Sequence, residues 1–373
     1  MTSPWTPLHA QLHQVLRSRS LIAKGQRVLV AVSGGQDSLC LARLLLDLQA
    51  HWAWDLAIAH CNHRWRSDAD ANANYVATLA EAWDIPFHTA TIEDSQRTTI
   101  ATEAGARTWR YRVLTEMAIA HHYSIVATGH TASDRAETLL YNLMRGSGAD
   151  GLQALMWQRS LHAEVQLVRP LLFMTRAETG QFCQKADLKP WLDSTNNDWR
   201  YARNRIRQDL LPYLQGHFNP RVEQTLAQTA EILQADVAYL DAEANKLWGK
   251  AVYAVSSPAL DTDAVRLKHE TQPMAQNPKS KIQNPKSKIW INRKVLVTAP
   301  LALQRRVMRR CLQQILPKSP SFDHVEKLTA LITAPNRSQT DPFPGGAIAK
   351  AKDDWIIFDN PASPSNLSSP NNS

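Results

Sequence analysis

"VLVAVSGGQDSLCLARLLL", residues Val28 to Leu46, decides the fold. An apolar run, Val28–Val32, stops at Ser33-Gly34-Gly35, passes through Gln36-Asp37-Ser38 and opens into a leucine-rich helical pattern from Leu39. A short apolar run bounded by turn residues reads as a buried parallel strand. Two glycines allow a sharp turn and close approach of a ligand to the backbone. Asp37 and Ser38 are suited to cap a helix beginning near Leu39. Backbone N–H groups at a helix N-terminus, backed by the positive end of the dipole, attract phosphate. The stretch therefore reads as strand, anion loop, helix. No Gly-Lys-Ser/Thr closes it as a Walker A loop would, and the spaced G-x-G-x-x-G dinucleotide pattern is missing. A plain serine-capped turn has the same local spacing, so the loop needs support from the rest of the chain.

With 373 residues the chain has room for two or three domains. Its composition is that of a globular protein, and its net charge of +8 suits a polyanionic partner. Cys40, Cys61, Cys183 and Cys311 are scattered and form no C-x-x-C. That spacing argues against a disulfide framework, a zinc ribbon or a cysteine-held iron–sulfur cluster, and fits a reducing cytoplasm. The N-terminal stretch lacks the apolar core of a signal peptide. No run of about 18 apolar residues is present, so neither a membrane span nor a membrane partner is expected.

The first 190 residues alternate in period. Strands are expected at 27–32, 55–61, 86–91, 124–128 and 165–168; helices at 8–19, 38–50, 67–83, 101–122, 132–145 and 175–186. This rhythm predicts a parallel α/β sheet covered on both faces. Ligands of such sheets sit beyond the carboxyl ends of the strands. Residues 33–38, 59–64 and 127–134 should therefore line one rim. Beyond residue 200 come a long helix over 219–250, a strand over 289–298, helices near 301–316 and 321–333, and a hairpin over 347–358 turning at Lys352-Asp353-Asp354. The expected organisation is a catalytic α/β domain over 1–215, a helical and α/β domain over 216–359, and a disordered Ser/Pro/Asn-rich tail over 360–373. The heptapeptide QNPKSKI occurs at 276–282 and again at 283–289, and reads as an inserted loop.

Four groups of residues bear on chemistry. Arg107 and Arg110 lie close in helical space, and His130 stands at a strand end. Asp134 and Glu137, three apart, share a helix face; acids there also simply favour a helix N-terminus, but beside a phosphate loop they suggest a site for a metal or an amine. His60, Cys61 and His63 have poor spacing for zinc and read better as the lining of a nucleotide pocket. No G-x-S-x-G elbow marks a hydrolase. Two basic tracts remain. In the first, Arg200, Arg203 and Arg207 are expected on one helix face, with Arg205 nearby. The second, 276–310, carries ten Lys or Arg and no acid. Each alone is an ordinary solvated face; together they point to nucleic acid.

"SGGQDS" (33–38) resembles the loop of the PP-loop, or N-type, ATP pyrophosphatases, which split ATP into AMP and pyrophosphate. The narrower resemblance is to the tRNA(Ile)-lysidine synthases. It rests, in order, on "AHCNHRWRSDADANANYV", "TEAGARTWRYRVL", "VATGHTASDRAETLLYNLMRGSGADGL", "RPLL" and "WLDSTNNDWRYARNRIRQDLLPYL", spanning about 27–215. It implies a ligase with ATP and Mg²⁺ that joins free L-lysine to carbon 2 of the wobble cytidine in CAU-anticodon tRNA(Ile). Cytidine is adenylated first and AMP leaves second, changing codon reading from AUG to AUA. Ser33, Gly34, Gly35, Gln36, Asp37, Ser38 and His60 would bind ATP, and Asp37 would hold the metal. Asp37, Arg107, Arg110 and His130 would be catalytic. Asp134 and Glu137 would bind lysine; Arg145, Arg200, Arg203, Arg205 and Arg207 would bind tRNA. A homodimer is a further possible partner.

Two departures from the family pattern stand out. In its H-x-x-D-D-Q-x-E-T segment, Ser133 replaces the first acid and Arg135 the glutamine. The competing readings are another PP-loop tRNA modifier such as a thiolase, which would need catalytic cysteines or a cluster; a small-molecule ligase of the same superfamily, which would not need the arginine tracts; and a non-catalytic ATP-binding regulator.

Overall fold

The computed structural model describes residues 5–65, 67–93, 102–191, 199–255, 272–273 and 288–359. The tail 360–373 and residues 274–287, which hold nearly all of the repeated heptapeptides, lie outside the described residues. The chain forms two compact units, Met1–Ala235 and Asp236–Ser373.

In the first unit the alternating pattern folds as read. Helix α1 (Pro7–Ser18) precedes β1 (Arg27–Ala31), α2 (Gln36–Trp52), β2 (Asp55–Asn62), α3 (Ala69–Ala82), β3 (Phe87–Thr91) and α4 (Glu103–Ala120). Then come β4 (Ile125–Thr128), α5 (Ala132–Met144), the short α6 (Ala149–Leu152), β5 (Gln158–His162), β6 (Val165–Val168) and α7 (Arg176–Lys185). The sheet order is β3-β2-β1-β4-β6-β5. Every neighbouring pair is parallel except β5 with β6. β5 was not expected; its exposure alternates, as befits an antiparallel edge strand rather than a buried apolar run.

Strand β1 reads as an unbroken apolar run because it is central, with Val28, Leu29 and Val30 buried between β2 and β4. The leucines of α2 fill one side: Leu39, Leu41, Leu44, Leu45 and Leu48 pack with Val28, Val30 and Ile58. On the other side Leu29, Ala57 and Val126 meet Leu114 and Ala118 of α4. The order reverses beside β1, with β2 on one side and β4 on the other. Their exit loops part there and leave a crevice, the switch point where such sheets bind ligands.

Past α7 the described chain resumes with α8 (Ala202–Arg205), a π-helical turn (Ile206–Leu210), α9 (Leu211–His217) and the long α10 (Val222–Ala251). The second unit adds β7 (Val252–Val255), β8 (Gln272–Pro273), β9 (Lys288–Asn292), α11 (Arg293–Val297), α12 (Leu301–Ile315), α13 (Phe322–Ala330), β10 (Ile348–Lys352) and β11 (Trp355–Asp359). Its antiparallel sheet runs β10-β11-β9-β7-β8. The strand expected over 289–298 is therefore half strand and half helix. The Asn292 side chain accepts from the Val295 N–H and caps α11, ending the strand. The hairpin turns where expected, with Asp353 at φ +51°.

Of the second basic tract, Lys279, Lys281 and Lys286 lie outside the described residues, and five of the others are wired within this unit. Arg293 donates to the carbonyls of Ile332 and Asp353, both at 3.1 Å, and to that of Ala334. Lys294 pairs with Asp354, Arg305 with Glu326, and Arg306 and Arg310 with Asp241. Replacing Arg293 with Ala strands three carbonyls and should cost about 2–3 kcal/mol. Hydrogen exchange at β10 and β11 is the measure; wild-type protection in that variant would show that the clamp is dispensable.

Candidate active site

The phosphate-type loop is built by close backbone contacts. Gly34 has φ +85°, and a Cβ there would lie 2.2 Å from Oδ1 of Asn72. Asn72 in turn donates from Nδ2 to the Ser33 carbonyl at 3.0 Å, and the Trp191 N–H donates to the Gly34 carbonyl at 2.9 Å. Gly35 has an ordinary extended conformation and serves as N-cap, so α2 begins at Gln36, three residues earlier than the sequence pattern implies. Asp37 and Ser38 consequently lie in the first turn instead of capping it. The first-turn N–H groups have no intrahelical acceptor and face the loop. Ser38 braces the turn: its hydroxyl donates to the Gly35 carbonyl at 2.8 Å and accepts from the Ser33 N–H at 3.2 Å.

At the end of β4, Gly129 lies against that same turn. A Cβ on Gly129 would be 2.7 Å from the Asp37 carbonyl oxygen. This contact brings His130 and the start of α5 beside the loop. Thr131 caps α5, with its N–H and hydroxyl bonding Asp134 Oδ2 at 2.8 and 2.9 Å.

The acids are joined through two arginines. Arg176 donates from Nε to Asp37 Oδ2 at 3.0 Å and from an Nη to Asp134 Oδ1 at 3.1 Å. Arg207 holds Glu137 with a two-pronged pair at 2.6 and 2.8 Å, and its Nη lies 3.8 Å from Asp134. Thr179 donates its hydroxyl to Asp37. Burial pushes the Asp37 carboxyl up against the pull of Arg176, and pushes Glu137 up against Arg207. Burial acts the same way on Asp134, but Arg176, His130 and the Thr131 hydrogen bonds outweigh it and hold that group below the usual carboxylate range. The same acids push Arg176 up, against burial, so it stays charged.

His130 is neutral. Burial first, then Arg169, Arg107 and Arg110, bring it down to about 3, against the pull of Asp134. Its Nδ1 is hydrogen-bonded to the Thr128 hydroxyl at 2.9 Å. A neutral ring there can offer a hydrogen bond, while the positive charges beside it are those of Arg169, Arg107 and Arg110. His60 is buried, its Nδ1 on the Val32 carbonyl at 2.8 Å, which braces the end of β1. Gln36 turns away from the loop: its amide donates to the Arg176 carbonyl at 2.6 Å and to the Thr179 hydroxyl at 2.8 Å. Only its backbone is left for a nucleotide.

The arginine tract does not form the single helix face expected of it. Arg200 precedes α8, and the π turn breaks the 3.6-residue period before Arg207. Arg203 pairs with Glu103 at 2.9 Å, and Arg205 donates to the Trp199 carbonyl at 2.8 Å. Arg207 joins the acid cluster through its two bonds to Glu137. Arg145 is exposed beside the Tyr141 ring, 5.3 Å from its centre. Beside α8, a groove of about 500 Å³ is lined by Met144, Ile206, Leu210 and Tyr213, with Arg205 and Asp209.

Both departures from the family pattern find partners. Ser133 accepts from the Arg176 N–H at 3.0 Å and donates to Glu223. Arg135 is 1% exposed, yet it donates to the Leu155 carbonyl at 2.9 Å, pairs with Glu231 at 3.2 Å and lies over the Trp157 ring. Arg176, Thr179, Asn72, Gly129 and the buried Arg169, which hydrogen-bonds Tyr111, were not singled out by sequence reasoning. Only the "RPLL" element offered a signal for Arg169.

Among the described residues no three His, Cys, Asp or Glu side chains converge on a metal site. The Asp37 carboxylate and Thr179 hydroxyl are hard oxygen donors beside the phosphate loop. They suit Mg²⁺, which commonly takes one or two protein carboxylates and completes its shell with phosphate and water. The thiols suit catalysis poorly: all four cysteines are free, and burial pushes Cys61 and Cys183 up to about 12 and Cys40 and Cys311 further. No helix among the described residues is long and apolar enough to cross a membrane.

Residues 5–214 match the family model described as a PP-loop domain, and residues 292–354 match the one described as the TilS substrate binding domain. A tRNA(Ile)-lysidine synthase of Nostoc sp. is 56% identical over 95% of this chain and 98% of its own. One from Synechocystis sp. is 44% identical over 95% and 98%, and a chloroplastic one from Zygnema circumcarinatum 34% over 88% and 81%. Among solved structures, the U34-tRNA thiolase NcsA of Methanococcus maripaludis superposes with a TM-score of 0.52 at 17% identity, covering 61% of this chain and 78% of that one. At that identity the likeness is one of fold.

Two outcomes follow from this geometry. Gly129→Ala should force β4's exit from the loop and weaken ATP binding by about tenfold or more, with far-UV circular dichroism unchanged; wild-type nucleotide affinity would refute the contact's importance. His63, packed against Trp109, is brought by burial, then by Arg110 and His60, from the usual 6.5 to about 3. The unfolded chain binds that proton and the folded one does not. Stability is thus complete above about pH 6.5 and falls as pH drops towards 3. His63→Leu should flatten this loss in urea unfolding between pH 7 and 5; an unaltered slope would contradict it.

Proposed function

The chain belongs to the tRNA(Ile)-lysidine synthase family, and from that premise we propose that it joins L-lysine to carbon 2 of the wobble cytidine of CAU-anticodon tRNA(Ile). ATP first adenylates the cytidine and pyrophosphate leaves. The side-chain amine of lysine then attacks carbon 2, AMP departs, and the modified base pairs with A.

The N–H groups of the loop from Gly34 to Ser38 would hold the phosphates, and His60 and Asn72 keep that loop in shape. Arg107 and Arg110 would face the charge that develops at the α-phosphate, with neutral His130 adding a hydrogen bond. Magnesium bound at Asp37 would offset triphosphate charge. Asp134, whose Oδ2 is already committed, would meet an ammonium group with Oδ1, the oxygen Arg176 now holds, and Glu137, now held by Arg207, would take the second charge of lysine. Arg145, Arg200, Arg203 and Arg205 would bind tRNA phosphates, and Arg205 also lines the groove beside α8. Such a reaction belongs where tRNA and ATP are found, the cytoplasm.

One observation carries this reading. Asp37 of the phosphate loop and Asp134 of the acid pair meet on a single guanidinium, so activated phosphate and attacking amine would share one rim. The test is incorporation of radiolabelled lysine into tRNA(Ile) transcripts with CAU or with a changed wobble base. Label should enter only the first. Asp37→Asn should abolish it; Glu137→Gln should raise KM for lysine by about tenfold and leave that for ATP nearly alone. Near-normal turnover by Asp37→Asn would overturn the assigned role.

A further inference from the structure

Resting on that reading, we infer that Arg176 couples the nucleotide to the amino acid. It occupies the lysine-side oxygen of Asp134 in the substrate-free protein, and its release onto the phosphates of ATP opens that oxygen to lysine. Arg176 is a positioning residue in this role, since it acts through Asp134.

The backbone of Arg176 is held independently of the two carboxylates that hold its side chain. The main-chain N–H is held by Ser133 Oγ at 3.0 Å and the carbonyl by Gln36 at 2.6 Å, whereas the side chain is 33% exposed. The guanidinium is thus an arm on a rigid pivot. Asp134 Oδ2 is saturated by Thr131, so Oδ1 is the oxygen left for an ammonium, and Arg176 sits on it at 3.1 Å. Oδ1 already carries Arg176 at 3.1 Å with Arg207 at 3.8 Å, so an arriving ammonium meets two cations and has to displace the nearer guanidinium to reach hydrogen-bond distance. The other contact of Arg176 is Asp37, at the loop where phosphates would bind. A guanidinium fits phosphate with the same forked geometry as carboxylate, and a triphosphate carries more charge than one Asp. ATP therefore draws the arm towards the loop and releases Asp134 Oδ1 from Arg176, with Arg207 still 3.8 Å away. Lysine binds poorly while the competent state is a minority, and ATP removes that handicap. The coupling is reciprocal, so lysine strengthens ATP binding by the same factor.

Isothermal titration of L-lysine into the full chain, with and without magnesium α,β-methylene-ATP, tests the inference. The wild type should bind lysine about tenfold or more tightly with the nucleotide. Arg176→Gln should bind lysine nearly as well without nucleotide as with it. Arg176→Lys keeps the charge but cannot span both carboxylates, so its ratio should also fall; it decides the matter if the Gln variant does not fold. An unchanged lysine affinity in the wild type with and without nucleotide, or a full wild-type ratio in either variant, overturns the coupling. Asp134→Asn separates the layers: loss of lysine binding supports the site, whereas intact binding sinks the assignment of Asp134 itself and the coupling built on it.

Discussion

The close approach of Gly129 to the first turn of α2 is the constraint on which the site depends. No side chain fits between them, since even a Cβ would lie 2.7 Å from the Asp37 carbonyl. The exits of β1 and β4 are thereby locked together at the point where the strand order reverses. One exit carries the phosphate loop and the other carries His130 and the capped start of α5. Because both segments are helix starts on a central parallel sheet, their polar groups are held by backbone geometry more than by side-chain contacts.

The charges gathered there are arranged as a chain. Asp37, Arg176, Asp134, Arg207 and Glu137 alternate in sign along it. Three carboxylates against two guanidiniums leave one negative charge uncompensated within the group, in a place where burial resists it. A cationic ligand relieves that imbalance, and an anionic one competes for the arginines. Buried ion pairs are poor sources of stability because desolvation offsets their attraction.

Much of this was legible from residue patterns. Every strand and helix expected in the first 190 residues is present, because a parallel sheet buried on both faces writes apolar runs and amphipathic helices in alternation. The loop at Ser33–Ser38 and the pair Asp134 and Glu137 were visible from residue type and spacing. Arg176 and Thr179 were not: they lie about 140 residues from Asp37 along the chain and enter by packing of α7 against α2. Nothing in their local sequence sets them apart from an ordinary helix start. The edge strand β5 was missed because its residues alternate in exposure and carry no apolar run. Helix α11 was missed because a single asparagine, Asn292, changes the period within an apolar stretch.

The basic residues show why composition is a blunt guide. A net charge of +8 suggested a broad electrostatic surface for nucleic acid. Yet Arg293 serves carbonyl groups, Arg305, Arg306 and Arg310 serve acids of their own unit, Arg135 is buried on Glu231, and Arg207 is drawn into the acid cluster. Arginine suits these duties because its planar fork satisfies several acceptors at once. The π turn gives Arg207 its different fate, adding to the period so that it faces α5 while Arg203 and Arg205 point elsewhere.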